Sequence, residues 1–125
     1  MSKNVMIVDD AVFMRTILKN MLEKADFKVV ADCEDGKVAV DKYKELREAG
    51  QQIDVVLMDI TMPEMDGITA LKKLKEYDKD VVVVMCSSLT SQQSVVQAIK
   101  LGAKHFIGKP FVEDQVISTI RKVLS

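Results

Sequence analysis

Five short apolar runs alternate with five segments of helical periodicity along this chain. The predicted strands are Val5–Val8, Phe27–Cys33, Ile53–Met58, Val81–Cys86 and His105–Ile107. Val5–Val8 is a continuous apolar run, which is typical of a strand that is buried on both faces of a sheet. The fourth run contains four consecutive valines, which favours a central position for that strand.

The segments between these runs carry apolar residues at helical spacing. The first predicted helix begins near Val12 and stops near Ala25-Asp26. Asp35-Gly36 is predicted as a turn before the second helix, which Gly50 closes at a C-cap position. The third helix follows the Pro63–Gly67 loop, the fourth ends at Gly102, and the fifth follows Lys109-Pro110. Ser87–Ser91 is predicted as a loop that supplies the N-cap of the fourth helix.

The alternation of strands and helices predicts an α/β fold with a parallel sheet and helices on both faces. Right-handed crossovers then place two helices on one face and three on the other. The spacing alone allows several strand orders, and the order 2-1-3-4-5 is the choice that flavodoxin-like folds make. We therefore expect a flavodoxin-like (βα)5 architecture in which residues 1–125 form a single domain.

Polar residues follow four of the predicted strands. Asp9 and Asp10 follow the first strand, Asp59 the third, Ser87 the fourth and Lys109 the fifth. Each has an ordinary explanation when taken alone, because Asp and Ser often cap helices or form turns and most lysines are solvated. The carboxyl ends of parallel strands, however, meet at one edge of the sheet, where ligand sites lie. The sequence therefore predicts a shared pocket.

Three clustered carboxylates raise one another's pKa, and a hard divalent cation such as Mg²⁺ removes that conflict. Such an ion also accepts a phosphate oxygen as a further ligand. A screened carboxylate can then act as a nucleophile in aspartyl-phosphate formation. In this hypothesis Asp59 is the nucleophile, the Ser87 hydroxyl donates to a phosphoryl oxygen, and Lys109 pairs with the phosphoryl group.

Composition excludes several other classes of function. The net charge is -1, from 19 acidic and 18 basic residues without a basic block, so we expect no nucleic-acid binding. No apolar run approaches the ~20 residues of a membrane span, and we expect no membrane insertion. The first strand is predicted to begin within a few residues of Met1, and we therefore expect no signal peptide.

Of four further side chains, only Cys86 and Phe106 have both a structural and a functional interpretation. Cys33 and Cys86 are predicted to be small buried hydrophobes with reduced thiols, as in the cytoplasm. A reactive Cys86 beside the pocket is the alternative. His105 is predicted to face solvent, and Phe106 is predicted to lie in the core by base rate or, three residues before Lys109, to be a movable aromatic.

Four motifs together resemble the receiver domain of two-component response regulators. They are Val8-Asp9-Asp10, Met58–Gly67, Cys86-Ser87-Ser88 and Lys109-Pro110-Phe111, in the family's order and over the whole chain. The resemblance is to a stand-alone receiver. The stretches Asp59–Gly67 and Phe13-Met14-Arg15 are most similar to the chemotaxis regulators of this family.

The resemblance implies a ligand set for Mg²⁺. Asp10 and Asp59 would bind the ion directly, Asp9 through water, and Thr61 through its backbone carbonyl. Asp59 would accept a phosphoryl group from a phosphohistidine on a sensor histidine kinase. The chain would then be a phosphoacceptor switch with self-phosphorylation and self-dephosphorylation chemistry, and not a turnover enzyme.

The resemblance also implies a switch and its partners. Ser87 and Lys109 would contact the phosphoryl oxygens, and Phe106 would turn inward when Ser87 is drawn to the phosphate. An output protein, in chemotaxis the flagellar motor switch, would read the face of helix four, strand five and helix five. We expect a cytoplasmic monomer, with a phosphatase as an optional further partner.

The chain departs from the family pattern at a few positions. Ser88 stands where the family usually has alanine, and Phe106 lacks the hydroxyl of the commoner tyrosine. Thr61 and Leu89 occupy variable positions beside the pocket, which influence the lifetime of the phosphoryl group in this family.

Other functions stay open at this stage. A stand-alone relay in sporulation or another pathway uses the same chemistry. A haloacid-dehalogenase-like phosphohydrolase needs a carboxylate two residues after its Asp nucleophile, where this chain has Thr61. A flavodoxin-like electron carrier is disfavoured, because Asp9-Asp10 would repel the FMN phosphate. An interaction module without phosphoryl chemistry is the simplest alternative.

Overall fold

The computed structural model describes residues 2–88 and 92–125 and contains five strands and five helices in strict alternation. The elements are β1 (Asn4–Val8), α1 (Val12–Lys24), β2 (Lys28–Cys33), α2 (Gly36–Glu48), β3 (Val55–Asp59), α3 (Gly67–Tyr77), β4 (Val83–Ser87), α4 (Gln92–Lys100), β5 (His105–Gly108) and α5 (Glu113–Leu124).

The five strands form one parallel sheet in the order β2-β1-β3-β4-β5. The three inner strands are apolar on both faces, and their residues are almost completely buried. Helices therefore have to cover both faces, as parallel sheets require. The predicted flavodoxin-like (βα)5 architecture is confirmed.

The sheet separates two hydrophobic clusters. One lies against α2, α3 and α4 and contains Tyr43, Leu71 and Ala98. The other lies against α1 and α5 and contains Leu22 and Ile120. The predicted division of three helices on one face and two on the other is confirmed.

The strand boundaries differ from the predictions by one or two residues. The predicted third strand starts at Ile53, but Asp54 binds the β1 backbone through its side chain, and the ladder begins at Val55. The predicted fourth strand starts at Val81, whereas pairing begins at Val83. Both apolar runs are longer than their strands because the chain is already buried before it enters the ladder.

The Asp35-Gly36 segment is the start of α2 and not a free turn. Asp35 is the N-cap, and its Oδ1 accepts from the Val38 amide at 2.9 Å. Asp66 caps α3 in the same way, with a 2.8 Å bond from the Thr69 amide. These side chains satisfy backbone donors that the first helical turn leaves unpaired. The predicted Ser87–Ser91 loop, which is expected to supply the N-cap of α4, lies at positions 89–91 outside the described residues, and Ser87 is the last residue of β4.

Candidate functional site

The three aspartates predicted to converge do lie together at the carboxyl edge of the sheet. Asp9 and Asp10 follow β1, and Asp59 ends β3, the strand that pairs with β1 through Val8 and Met58. One carboxylate oxygen from each lies within 4.8 Å of the others. Asp9 and Asp59 are 1% and 6% exposed, whereas Asp10 is open to solvent. The convergence is confirmed, while the role of each residue stays a prediction.

Lys109 brings a positive charge to this cluster from the loop after β5. Its Nζ lies 3.1 Å from Asp9 Oδ2 and 3.1 Å from Asp59 Oδ1. The Lys109 amide donates to the Ser87 carbonyl at 2.7 Å, which ties the loop to the end of β4. The Lys109–Pro110 peptide bond is cis. The ammonium therefore neutralises part of the acidic cluster, as the sequence predicts.

Burial and charge shift the ionisation of this pair. Burial raises the pKa of the Asp59 carboxyl; the Lys109 charge opposes that rise, and the Asp9 charge adds to it. For Lys109, burial acts to lower the pKa, but Asp59 and Asp9 outweigh it through their charges and hydrogen bonds. The pKa of Lys109 consequently lies above its ordinary value, and the ammonium stays charged at neutral pH.

The backbone of Asp59 is fixed by the start of α3. Gly67 donates its amide to the Ile60 carbonyl at 2.8 Å, and the Ile60 amide in turn donates to the Cys86 carbonyl at 3.3 Å. A Cβ on Gly67 would collide with the Asp59 carbonyl oxygen. Only glycine permits this close approach, so the Asp59 side chain projects from a firmly held main chain.

Arg15 is a residue of the site to which the sequence assigns no role. Its guanidinium Nη1 donates to the Asp9 carbonyl at 2.6 Å, and its Nε lies 3.4 Å from Asp32 Oδ1 on β2. The one signal in the sequence is a basic residue one turn into the helix that follows an Asp pair. The contact with Asp32 could not be predicted, because it depends on the register of β2 beside β1.

Ser87 and Phe106 line a cavity of about 340 Å³ whose other walls come from α4 and the end of β5. Ser87 is buried at the end of β4, while the Phe106 ring is 45% exposed. The prediction that Phe106 lies in the core is wrong, because packing against the edge strand β5 leaves this residue largely uncovered. An outward ring beside a cavity is compatible with the alternative of a movable aromatic.

The remaining residues named from the sequence lie around the edge of the site. Thr61 is exposed in the loop after β3, and the role of its carbonyl as a ligand stays a prediction. His105 is partly buried, and its Nδ1 accepts from the Phe106 amide at 2.8 Å. Ser88 is exposed at the end of β4. Leu89, predicted to lie beside the pocket, is outside the described residues.

Both cysteines are buried thiols. Burial raises the pKa of Cys33 to about 12, and it raises the pKa of Cys86 further. A thiol in such a setting stays protonated and is a poor nucleophile. Burial thus disfavours the alternative of a reactive Cys86, and the prediction of small buried hydrophobes is confirmed.

The donors at this edge fit a hard divalent cation. Carboxylate oxygens are the ligands that Mg²⁺ prefers, and it is usually held by one or two of them, together with water and substrate phosphate. Asp10 is the exposed member of the cluster, so the cluster is accessible to solvent through this residue. No helix in ranges 2–88 and 92–125 is long and apolar enough to cross a bilayer.

Comparisons with known proteins agree with this geometry. The sequence profile of the response regulator receiver domain matches residues 5–121. The chemotaxis protein CheY of Bacillus subtilis (strain 168) is 50% identical over 125 residues, which cover 100% of both chains. CheY of Thermotoga maritima is 46% identical over 123 residues, covering 98% of each chain.

Solved structures give the same result. A CheX–CheY–BeF₃–Mg²⁺ complex from Borrelia burgdorferi includes a chain with a TM-score of 0.91 and 40% identity, covering 98% of this chain and 90% of that one. The response regulator domain of Thermotoga maritima CheB has a TM-score of 0.88 and 35% identity, with 99% and 97% covered.

Proposed function

The chain belongs to the response regulator receiver domain family, and from this membership we propose that it is a phosphoacceptor switch in which Asp59 accepts the phosphoryl group. The observation that carries the proposal is the convergence of Asp9, Asp10 and Asp59 around a point that Lys109 also reaches. The donor is a phosphohistidine of a sensor histidine kinase, and the reaction depends on Mg²⁺. The 125 residues act as one receiver unit.

The chemistry is a transfer between two nucleophiles. An Asp59 carboxylate oxygen attacks phosphorus, the new P–O bond forms as the P–N bond breaks, and the imidazole leaves with the electron pair and takes up a proton. Bound Mg²⁺ supplies positive charge to the carboxylates and the phosphoryl oxygens. Asp10, Asp59 and the Thr61 carbonyl would hold the ion directly, and Asp9 would hold it through water. Lys109 is already beside Asp59 and pairs with the phosphoryl oxygens on arrival.

Switching follows from the new charge on Asp59. An aspartyl phosphate adds negative charge and strong acceptor oxygens, which favour any arrangement that supplies donors. The Ser87 hydroxyl and Lys109 are those donors, and the cavity beside Phe106 offers the ring an inward position. The altered face of α4, β5 and α5 is then read by an output protein.

Full-length similarity to CheY proteins supports chemotaxis as the context. In that context the kinase is of the chemotaxis type and the output partner is the flagellar motor switch. The Borrelia burgdorferi complex contains CheX with CheY, which supports a phosphatase as a further partner. Monomeric state and cytoplasmic location stay predictions, and a relay in another pathway is not better supported.

The test is phosphorylation with a small donor. Purified protein is incubated with Mg²⁺ and acetyl phosphate, and intact-mass spectrometry then measures added phosphoryl groups. We expect one group per chain, none in Asp59→Asn, and none when the metal is chelated.

Asp66→Asn is the matched control. It removes a carboxylate seven residues away in the same loop but keeps an oxygen that can cap α3. It should gain the phosphoryl group as the wild type does. An unmodified wild type over a range of donor concentrations would contradict the proposed function, and modification of Asp59→Asn would contradict the assigned acceptor.

A further inference from the structure

Arg15 holds the segment that carries two of the three aspartates. Its side chain is 14% exposed, and the guanidinium lies between the Asp9 carbonyl and Asp32 of β2. A long cationic side chain is seldom buried to this extent without a specific partner. The 2.6 Å bond to the Asp9 carbonyl is a charge-assisted hydrogen bond, the stronger class of such bonds.

The Asp9 carbonyl belongs to the peptide that joins Asp9 to Asp10. The peptide on the other side of Asp9 is fixed by its amide, which donates to the Cys33 carbonyl at 3.0 Å. The Asp9 Oδ1 accepts from the Ala11 amide at 2.9 Å. Arg15 thus completes a set of contacts that orients this turn, and the direction of the Asp10 carboxylate depends on the same peptide plane.

The charge of Arg15 makes its presence here informative. A cation beside a metal site weakens metal binding through space, so Coulomb's law alone predicts tighter Mg²⁺ binding when Arg15 is removed. A residue that orients ligands has the opposite effect, because its removal lets the ligands disperse. The two effects differ in sign.

We propose that Arg15 is a positioning residue of the metal site, which sets Mg²⁺ affinity by holding the Asp9–Asp10 peptide and is itself held by Asp32. The inference rests on the proposed function, since it assumes that these aspartates bind Mg²⁺. Asp32 lies 3.4 Å from the Arg15 Nε and anchors the guanidinium to the edge strand. Lysine cannot reproduce this arrangement, because it lacks the planar set of donors.

The test measures the Mg²⁺ dissociation constant by isothermal titration calorimetry with the metal alone. Outer-sphere partners of metal ligands typically contribute about 10- to 100-fold to affinity, and we expect Arg15→Ala to bind Mg²⁺ about tenfold more weakly. Arg15→Lys keeps the charge, and its Mg²⁺ affinity should lie between those of the wild type and Arg15→Ala. Lys19→Ala is the charge-matched control; it removes a cation from the same groove, one turn along α1, and should not weaken binding.

A second control separates positioning from loss of stability. Tyr43→Phe removes a partly buried hydrogen bond to Asp78 on the opposite face of the sheet, so it destabilises the fold away from the site. Its Mg²⁺ affinity should equal that of the wild type. Circular dichroism establishes that each variant is folded under the titration conditions.

The contribution of Asp32 is tested with a double-mutant cycle. If Asp32 acts through Arg15, Asp32→Ala weakens Mg²⁺ binding in the wild type but has no effect in the Arg15→Ala background. If it acts only by its charge, the loss is the same in both backgrounds, and that result would overturn the anchoring role.

The outcomes are distinct. Arg15→Ala with unchanged or tighter Mg²⁺ binding overturns the inference, while the proposed function stands if the wild type binds Mg²⁺ and is phosphorylated. If Arg15→Ala does not fold, Arg15→Lys decides: weaker binding than wild type supports the inference, and equal binding overturns it. A wild type that binds no Mg²⁺ contradicts the proposed function itself.

Discussion

Replacing Lys109 with methionine tests the electrostatic design of the site most directly. Methionine keeps the unbranched apolar stem of lysine but removes the ammonium that lies 3.1 Å from both Asp9 and Asp59. Without a metal, the folded chain then holds three carboxylates with no cation between them. We expect the variant to be less stable than the wild type in chelator at neutral pH.

The size of this loss of stability follows from the geometry of the two ion pairs that Lys109 forms. At 3.1 Å and an effective dielectric constant of about 20, each pair contributes roughly 5 kcal/mol of attraction before desolvation is counted. Desolvation offsets most of that attraction, and breaking a buried pair typically costs about 3–5 kcal/mol. Because the Lys109 side chain is 22% exposed, screening reduces the expected loss to about 2 kcal/mol.

The loss should depend on pH and on Mg²⁺. Lys109 lowers the pKa of Asp59, so its removal raises that pKa further above the unfolded value. As pH falls, the folded variant then takes up a proton that the unfolded chain lacks, and the deficit shrinks. Mg²⁺ at about 100 times its dissociation constant adds about 2.7 kcal/mol of stability. The Mg²⁺ affinity of Lys109→Met should be higher than that of the wild type, because no ammonium competes with the ion for the carboxylates.

Urea unfolding followed by circular dichroism measures these free energies. Lys104→Met, which changes an exposed lysine five positions earlier, is the matched control and should be neutral. Wild-type stability for Lys109→Met in chelator at about pH 7.5 would refute the reasoning, since a carboxylate cluster left without its cation must lose stability. A deficit that persists unchanged at about pH 5 would refute the assignment of the effect to Asp59.

Two further predictions concern the surroundings of the site. Gly67→Ala forces a Cβ against the Asp59 carbonyl, and it should destabilise the fold by about 1–3 kcal/mol and weaken Mg²⁺ binding. Gly108→Ala is the control, because a Cβ at Gly108 meets nothing within 4 Å. Equal losses of stability for the two variants in urea unfolding would contradict the packing argument. Cys33 and Cys86 should resist a thiol-reactive disulfide reagent in the native state and react rapidly in denaturant, because burial raises both pKa values; rapid native labelling, followed by absorbance, would contradict their burial.

The parts of the site that the sequence predicts are those that depend on strand ends. Asp59 and Lys109 each terminate an apolar run, and a parallel sheet brings such ends to one edge whatever the details of its packing. The alternation of strands and helices likewise predicts that helices cover both faces of the sheet. The strand order rests on the fold family, because several orders satisfy the same spacing.

The features that the sequence does not predict depend on which strands and residues become neighbours in the folded chain. The prediction of a core Phe106 rests on the usual burial of phenylalanine, but this residue lies on the edge strand β5, where one side lacks a covering partner. Arg15 and Asp32 are 17 positions apart and meet only through the register of β1 and β2. The turn predicted at Asp35 is a helix start, because an Asp-Gly pair signals turns as readily as helix N-termini.

The contact between Lys109 and Asp9 spans 100 positions of sequence and joins strands that are not neighbours in the sheet. A nascent chain that has not yet released β5 from the ribosome lacks this ammonium, although all three aspartates have already been synthesised. The two buried carboxylates therefore gain this neighbouring cation only after β5 has joined the sheet.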